Sequence, residues 1–87
     1  MNLDNARWDA MRDAVVAGGD PEVVVTTSAL EAYFGRRVAA EDAASLVIEE
    51  SQVLARAARA TPADDGTITL TARILASRDW EADEHAD

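Results

Sequence analysis

Residues 22–35 combine the signals for a strand, a helix start and a helix stop within one short stretch. The β-branched run 23–27 is typical of a strand. Ser28 and Glu31 have the spacing of a capping box, in which each side chain hydrogen-bonds the backbone N–H of the other residue. Gly35 suits the left-handed residue that ends a helix. A chain that places a strand directly before a helix in this way is predicted to fold as a mixed α and β domain.

The residues before this stretch predict a hairpin. Gly18-Gly19-Asp20-Pro21 is a strong turn signal, since glycine tolerates unusual dihedral angles and proline has a fixed φ. The turn separates an apolar run from the strand above, which predicts an antiparallel hairpin of about 13–18 with 22–27. Residues 1–12 stay open between an amphipathic helical turn and an irregular lead-in that places Trp8 against the core.

Two longer patterns follow the short helix. Apolar residues recur with helical period over about 41–60, which predicts one long helix that Thr61-Pro62 ends. Residues 67–75 alternate strictly between apolar and polar, which predicts a strand with one buried face. We therefore expect an α+β domain over residues 1–77 in the order ββααβ, a three-stranded antiparallel sheet packed on one long helix plus a short helix. Residues 78–87 are expected to form a flexible acidic tail.

Negative charge limits the classes of ligand that the chain is expected to bind. The formal net charge is −9, and the 8 basic residues are all arginine. Phosphate contacts need a basic patch, so direct binding to nucleic acid or to an anionic membrane is not expected. The chain has no cysteine and no apolar run near the roughly 18 residues of a membrane span. These features predict a cytoplasmic protein.

Residues that carry chemistry are sparse. The chain lacks cysteine and lysine, and its single histidine, His85, lies in the predicted tail. A catalytic nucleophile needs a base that a third group holds rigidly beside it, which such a tail does not provide. The pair Asp64-Asp65 before Gly66 is typical of a solvated turn. We therefore predict no enzyme activity, no catalytic residue, no cofactor and no metal site.

Glu50 has an unusual position in the predicted long helix. On a helical wheel it lies between Leu46 and Leu54, near the centre of the apolar stripe. A buried carboxylate without a partner is costly. We therefore expect either an ion pair of Glu50 with an arginine such as Arg73 or Arg36, or a polar contact across an interface.

Other side chains are candidates for contact with a protein partner. Trp8 either covers the edge of a small core or anchors a partner. The polar face of the last predicted strand is suited to pairing with a second sheet, and it carries Thr67, Thr69, Thr71 and Arg73. The possible interface residues are Trp8, Glu50, Thr69, Thr71 and Arg73.

Several short motifs follow one another over residues 7–75: Trp8-Asp9, Gly18-Gly19-Asp20, Glu22-Val23-Val24-Val25, Ala29-Leu30-Glu31, Tyr33-Phe34-Gly35 and Ile68-Thr69-Leu70-Thr71. In their order and spacing they resemble the small bacterial domain-of-unknown-function 1488 family. The resemblance implies the fold predicted above and implies no activity. Glu49-Glu50 stand where many members of that family have a His-Arg pair.

These observations predict a small non-catalytic interaction or accessory domain. We expect it to form a homo-oligomer or to bind a protein partner, because small domains gain stability by association. The alternative is an acidic inhibitor whose carboxylates imitate nucleic-acid phosphates and occupy a DNA- or RNA-binding partner.

Overall fold

The computed structural model of the chain describes residues 3–19 and 21–77. Over these residues the fold is α+β, with a four-stranded mixed sheet and four helices. In chain order the elements are β1 (Arg7–Asp9), β2 (Ala14–Gly18), β3 (Glu22–Thr26), α1 (Thr27–Phe34), α2 (Ala40–Glu49), α3 (Ser51–Ala60), β4 (Thr67–Leu70) and α4 (Ala72–Ser77). None of the helices in the described ranges has the length and hydropathy of a membrane span. The predicted tail, with Trp80 and His85, lies outside the described residues.

The sheet has the order β1-β2-β3-β4, and its last pair is parallel. The predicted hairpin is confirmed, with β2 and β3 antiparallel from Ala14 opposite Thr26 to Gly18 opposite Glu22. The prediction of three antiparallel strands is wrong in two respects, because β1 adds a strand and β4 runs parallel to β3. Parallel neighbours need a long crossover, and the three helices between β3 and β4 provide it.

The predicted long helix is two helices. Glu50 has φ −106° and ψ 25°, and it ends α2 and precedes α3. Hydrogen bonding continues across the break, since the Glu50 N–H donates to the Leu46 carbonyl (3.1 Å) and the Leu54 N–H donates to the Glu50 carbonyl (2.9 Å). α2 packs on β1 and β2, whereas α3 packs on β4. The break therefore lets the two helices follow the twist of the sheet and cover different strands of the same face.

The strand predicted over 67–75 ends at Leu70, and the chain turns into α4. The Ile74 N–H donates to the Thr71 hydroxyl (3.4 Å), and the Leu75 N–H donates to the Thr71 carbonyl (3.1 Å). α4 packs against α1 and buries Leu75 completely. Burial of Leu75 against a helix stabilises the helical turn over the extended form that alternation alone favours.

The N-terminal segment, for which the sequence permits either a helical turn or an irregular lead-in, is anchored at three points. Leu3 is buried in the main core, and β1 pairs Trp8 with Val15. The Asn5 side chain clamps Gly18, since it accepts from the Gly18 N–H (2.8 Å) and donates to the Gly18 carbonyl (3.0 Å). The segment is therefore an integral part of the sheet.

The cap of α1 differs from the predicted capping box. Thr26 is the N-cap, and its hydroxyl accepts from the Ala29 N–H (3.1 Å). Ser28 is an exposed residue of the first turn. The Glu31 carboxylate accepts from the Val38 N–H (3.2 Å), so it closes the loop after the helix. The helix begins two residues earlier than predicted, because β3 ends at Thr26, and it ends as predicted at Gly35, which has φ 70°.

Thr26→Ala is expected to lower the free energy of unfolding by about 1 kcal/mol, because the first turn of α1 loses its side-chain cap. Ser28→Ala is the matched control and is expected to change it by less than about 0.5 kcal/mol, as at an ordinary surface position. Urea denaturation of the two variants measures both values. A larger loss for Ser28→Ala than for Thr26→Ala would support the capping box of Ser28 and Glu31 and contradict the observed cap.

Candidate interaction surface

The two faces of the sheet differ in what covers them. The face that carries Val15, Val23 and Val25 packs on the helices and forms the main core. The opposite face we call the outer face. It consists of Arg7, Asp9, Ala14, Val16, Glu22, Val24, Thr67 and Thr69. Every buried apolar side chain of the described helices belongs to the main core, so the described part of the chain places no helix on the outer face.

An apolar strip crosses the middle of the outer face. Ala14, Val16 and Val24 form a second cluster that is separate from the main core. Val16 pairs with Arg7 on one side and with Val24 on the other, and Val24 pairs in turn with Thr69. This row runs across all four strands, with apolar residues at its centre and polar residues at both ends.

Residues 10–13 join β1 to β2, and we call them the tip loop. Arg12 reaches over the apolar strip from this loop. Its Nη1 lies 2.7 Å from Glu22 Oε1, and its Nε lies 3.5 Å from Asp9 Oδ2. Glu22 pairs with Gly18 at the far end of β2, whereas Arg12 precedes the near end at Ala14. The two side chains therefore meet along the line of the apolar strip.

The tip loop itself is braced, which fixes where Arg12 starts. Asp9 Oδ1 accepts from the backbone N–H groups of Met11 (3.0 Å) and Arg12 (3.3 Å). The Thr27 hydroxyl donates to the Asp13 carbonyl (2.9 Å), which ties the loop to the start of α1. The hydrogen bond with Glu22, and then the charge of that carboxylate, raise the pKa of the Arg12 guanidinium above its usual value.

The charges on the outer face balance in a strongly acidic chain. Arg7 and Arg12 stand against Asp9 and Glu22, so these four residues contribute no net charge. The formal net charge of −9 therefore arises from the other residues of the chain.

The free edge of β4 is largely closed by its own turn. The Gly66 carbonyl accepts from the Glu22 N–H (3.0 Å), which starts the ladder with β3. Because bonding alternates along a parallel ladder, the backbone groups of Thr67 and Thr69 point to the opposite edge. Thr67 exchanges hydrogen bonds with Asp64 there, at 3.0 Å and 2.8 Å. Strand addition at this edge is therefore limited to Thr69, and the outer face is the better surface for association.

The five predicted interface residues do not form one surface. Thr69 is exposed on the outer face as predicted. Trp8 is partly buried on the other face, where it packs against the main core. Thr71 caps α4 and Arg73 is exposed on that helix, so both lie off the polar strand face that the alternation predicts. Glu50 lies at the break between α2 and α3.

Glu50 is partly exposed at the helix break, so it is not the fully buried carboxylate that the helical wheel suggests. Among the described residues, no ion pair joins Glu50 to Arg73 or Arg36; the two ion pairs found there both belong to Arg12. The predicted pair is therefore not seen in this part of the chain. A contact of Glu50 across an interface stays a prediction.

Sequence reasoning missed Arg12, Glu22, Val16 and Val24. A signal for the two valines is present, since the runs 14–17 and 23–25 are apolar at consecutive positions and so on both faces of their strands. Continuous apolar strands are typical of sheets that are covered on both sides. Nothing in the local sequence indicates that Arg12 and Glu22 meet across the strip.

The described residues contain no group of three or more His, Asp or Glu side chains placed to hold a metal ion. Comparison with protein-family models, with curated proteins and with solved structures finds no match for this chain. The resemblance to the domain-of-unknown-function 1488 family therefore stays a prediction from the motifs.

Proposed function

We propose that this chain is a small non-catalytic interaction domain that associates with a second copy of itself through the outer face. The observation that carries the proposal is a sheet face with an apolar strip at its centre and no described helix over it. Lone sheets of small domains gain stability when such a face packs on a second layer. The absence of cysteine suits a reducing compartment, so we place this function in the cytoplasm.

Charge favours a second copy as the partner on this face. Two chains with a net charge of −9 each repel one another wherever their acidic surfaces meet. At physiological salt the screening length is about 8 Å, so the charges next to the contact dominate. Arg7 and Arg12 balance Asp9 and Glu22 on the outer face, and two such faces can approach without net repulsion. A strongly basic partner would instead select the acidic remainder of the surface.

Thr69→Glu tests this proposal, because Thr69 is exposed at the end of the row that crosses the outer face. Sedimentation equilibrium of the wild-type chain is expected to show a mass that rises from one chain toward two as concentration increases. The added carboxylate is expected to raise the dissociation constant by about tenfold or more, since like charges brought together at an interface cost several kcal/mol.

Ser45→Glu is the matched control, because Ser45 is exposed on α2 and the change adds the same charge. It is expected to leave the dissociation constant close to the wild-type value. A mass of one chain at every concentration, or equal effects of the two variants, would contradict the proposal. The alternative function, an acidic inhibitor of a nucleic-acid-binding protein, predicts instead that Thr69→Glu leaves partner binding intact.

A further inference from the structure

Val16 and Val24 are hidden on a face that lacks a covering helix among the described residues. Val16 is 1% exposed and Val24 is 7% exposed. Within a sheet, the neighbouring strands shield only the sides of such side chains. A group above the sheet must therefore cover their outer ends. The Arg12 side chain, drawn along the strip by Glu22 at 2.7 Å, is placed to supply one.

We propose that Arg12 is a removable cover over the apolar strip of the outer face, and that a second copy of the chain docks on the strip once Arg12 has moved aside. This inference rests on the proposed function and adds its regulation. In the closed form Arg12 limits self-association, and displacement of Arg12 exposes the valines that the second copy contacts.

The contacts that hold Arg12 are of the kind that opens readily. The side chain of Arg12 is 49% exposed, and those of Asp9 and Glu22 are 31% and 30% exposed. Ion pairs exposed to this degree contribute little to stability, and salt screens them. The fixed part of the tip loop is its backbone, which Asp9 and Thr27 brace. The Arg12 side chain can therefore swing away while the hairpin stays folded.

Arg12→Ala removes the cover and is expected to have two effects. In dilute solution, where the chain is a monomer, binding of the neutral apolar dye Nile red should rise several-fold, because Val16 and Val24 become exposed. Arg7→Ala is the reference for association, because it leaves the same net charge on the outer face and keeps the cover. At higher concentration the dissociation constant of the Arg12→Ala dimer should be about tenfold lower than that of Arg7→Ala, because the docking surface no longer has to be uncovered first. Sedimentation equilibrium measures the second effect.

Glu22→Gln removes the charge that holds Arg12 and keeps the size of the side chain. It is expected to change dye binding and association in the same direction as Arg12→Ala, by smaller factors. Arg37→Ala is the control, because Arg37 is exposed in the loop after α1 and its loss changes the net charge equally. It should leave both measurements at their wild-type values. Thermal melts followed by circular dichroism confirm that each variant is folded.

Unchanged dye binding in a folded Arg12→Ala variant would overturn the proposal that Arg12 covers the apolar strip. Association no tighter than that of Arg7→Ala would also overturn it, since removal of Arg12 would then uncover no docking surface. If dye binding rises and no variant associates at any concentration, Arg12 does cover the strip. In that case a second copy does not dock on the strip, and the proposed function is wrong.

Discussion

Truncation of Leu54 to alanine is expected to lower the free energy of unfolding by about 2–5 kcal/mol. Leu54 is fully buried near the start of α3, in the main core between sheet and helices. Removal of its terminal carbons leaves a cavity that the sheet and the neighbouring helices fill only in part. A domain of this size has a total stability of about 5–15 kcal/mol, so the loss is a large share of it.

Gln52→Ala is the control for Leu54→Ala, because Gln52 is exposed two residues earlier on the same helix. Its effect in urea denaturation is expected to stay within about 0.5 kcal/mol. Equal losses for the two variants would show that helix propensity, and not burial, decides the stability of α3. That outcome would contradict the packing described for the main core.

Leu3→Ala is expected to cost about 2–4 kcal/mol, although Leu3 lies only three residues into the sequence. Leu3 is 1% exposed and belongs to the main core. Its burial fixes the segment that leads into β1, together with the clamp between Asn5 and Gly18. Thermal and urea denaturation both measure the loss.

Met11→Ala is the matched control for Leu3→Ala, because it also truncates a large apolar side chain, and Met11 is 98% exposed in the tip loop. A change within about 0.5 kcal/mol is expected. If Leu3→Ala cost no more than Met11→Ala, the N-terminal segment would not be docked on the core, and β1 would lack the support that the structure shows.

The features predicted correctly are those that depend on residues close together in sequence. The turn at Gly18 joins β2 to β3 because glycine takes the required conformation, with φ 76° here. Gly35 ends α1 for the same reason. In each case the physical cause lies within a few residues, so the pattern alone determines the outcome.

The features predicted wrongly depend on contacts between distant parts of the chain. Glu50 breaks a helical pattern that contains neither glycine nor proline, because α2 and α3 cover different strands. β4 stops at Leu70 because α4 packs on α1. Thr26, and not Ser28, caps α1 because β3 ends at Thr26. Local propensity is a weak guide wherever tertiary packing selects between two permitted conformations.

On the candidate surface, too, local patterns predict correctly and contacts between distant residues are missed. Thr69 was predicted from strand alternation and lies on the outer face. Arg12 and Glu22 are ten residues apart and belong to different hairpins, so their ion pair depends on the register of β1, β2 and β3 together. The same alternation predicts Thr71 and Arg73 on that face, which is wrong because the chain turns into α4 after Thr71.

The central claim is that the outer face is the surface through which the chain associates, and methyl NMR over a dilution series tests it most directly. Val16 and Val24 lie on the outer face, whereas Val15 and Val25 lie on the same strands and face the main core. We predict that the methyl resonances of Val16 and Val24 shift with concentration while those of Val15 and Val25 stay constant. Shifts confined to the helices, or no shift up to millimolar concentration, would contradict the claim.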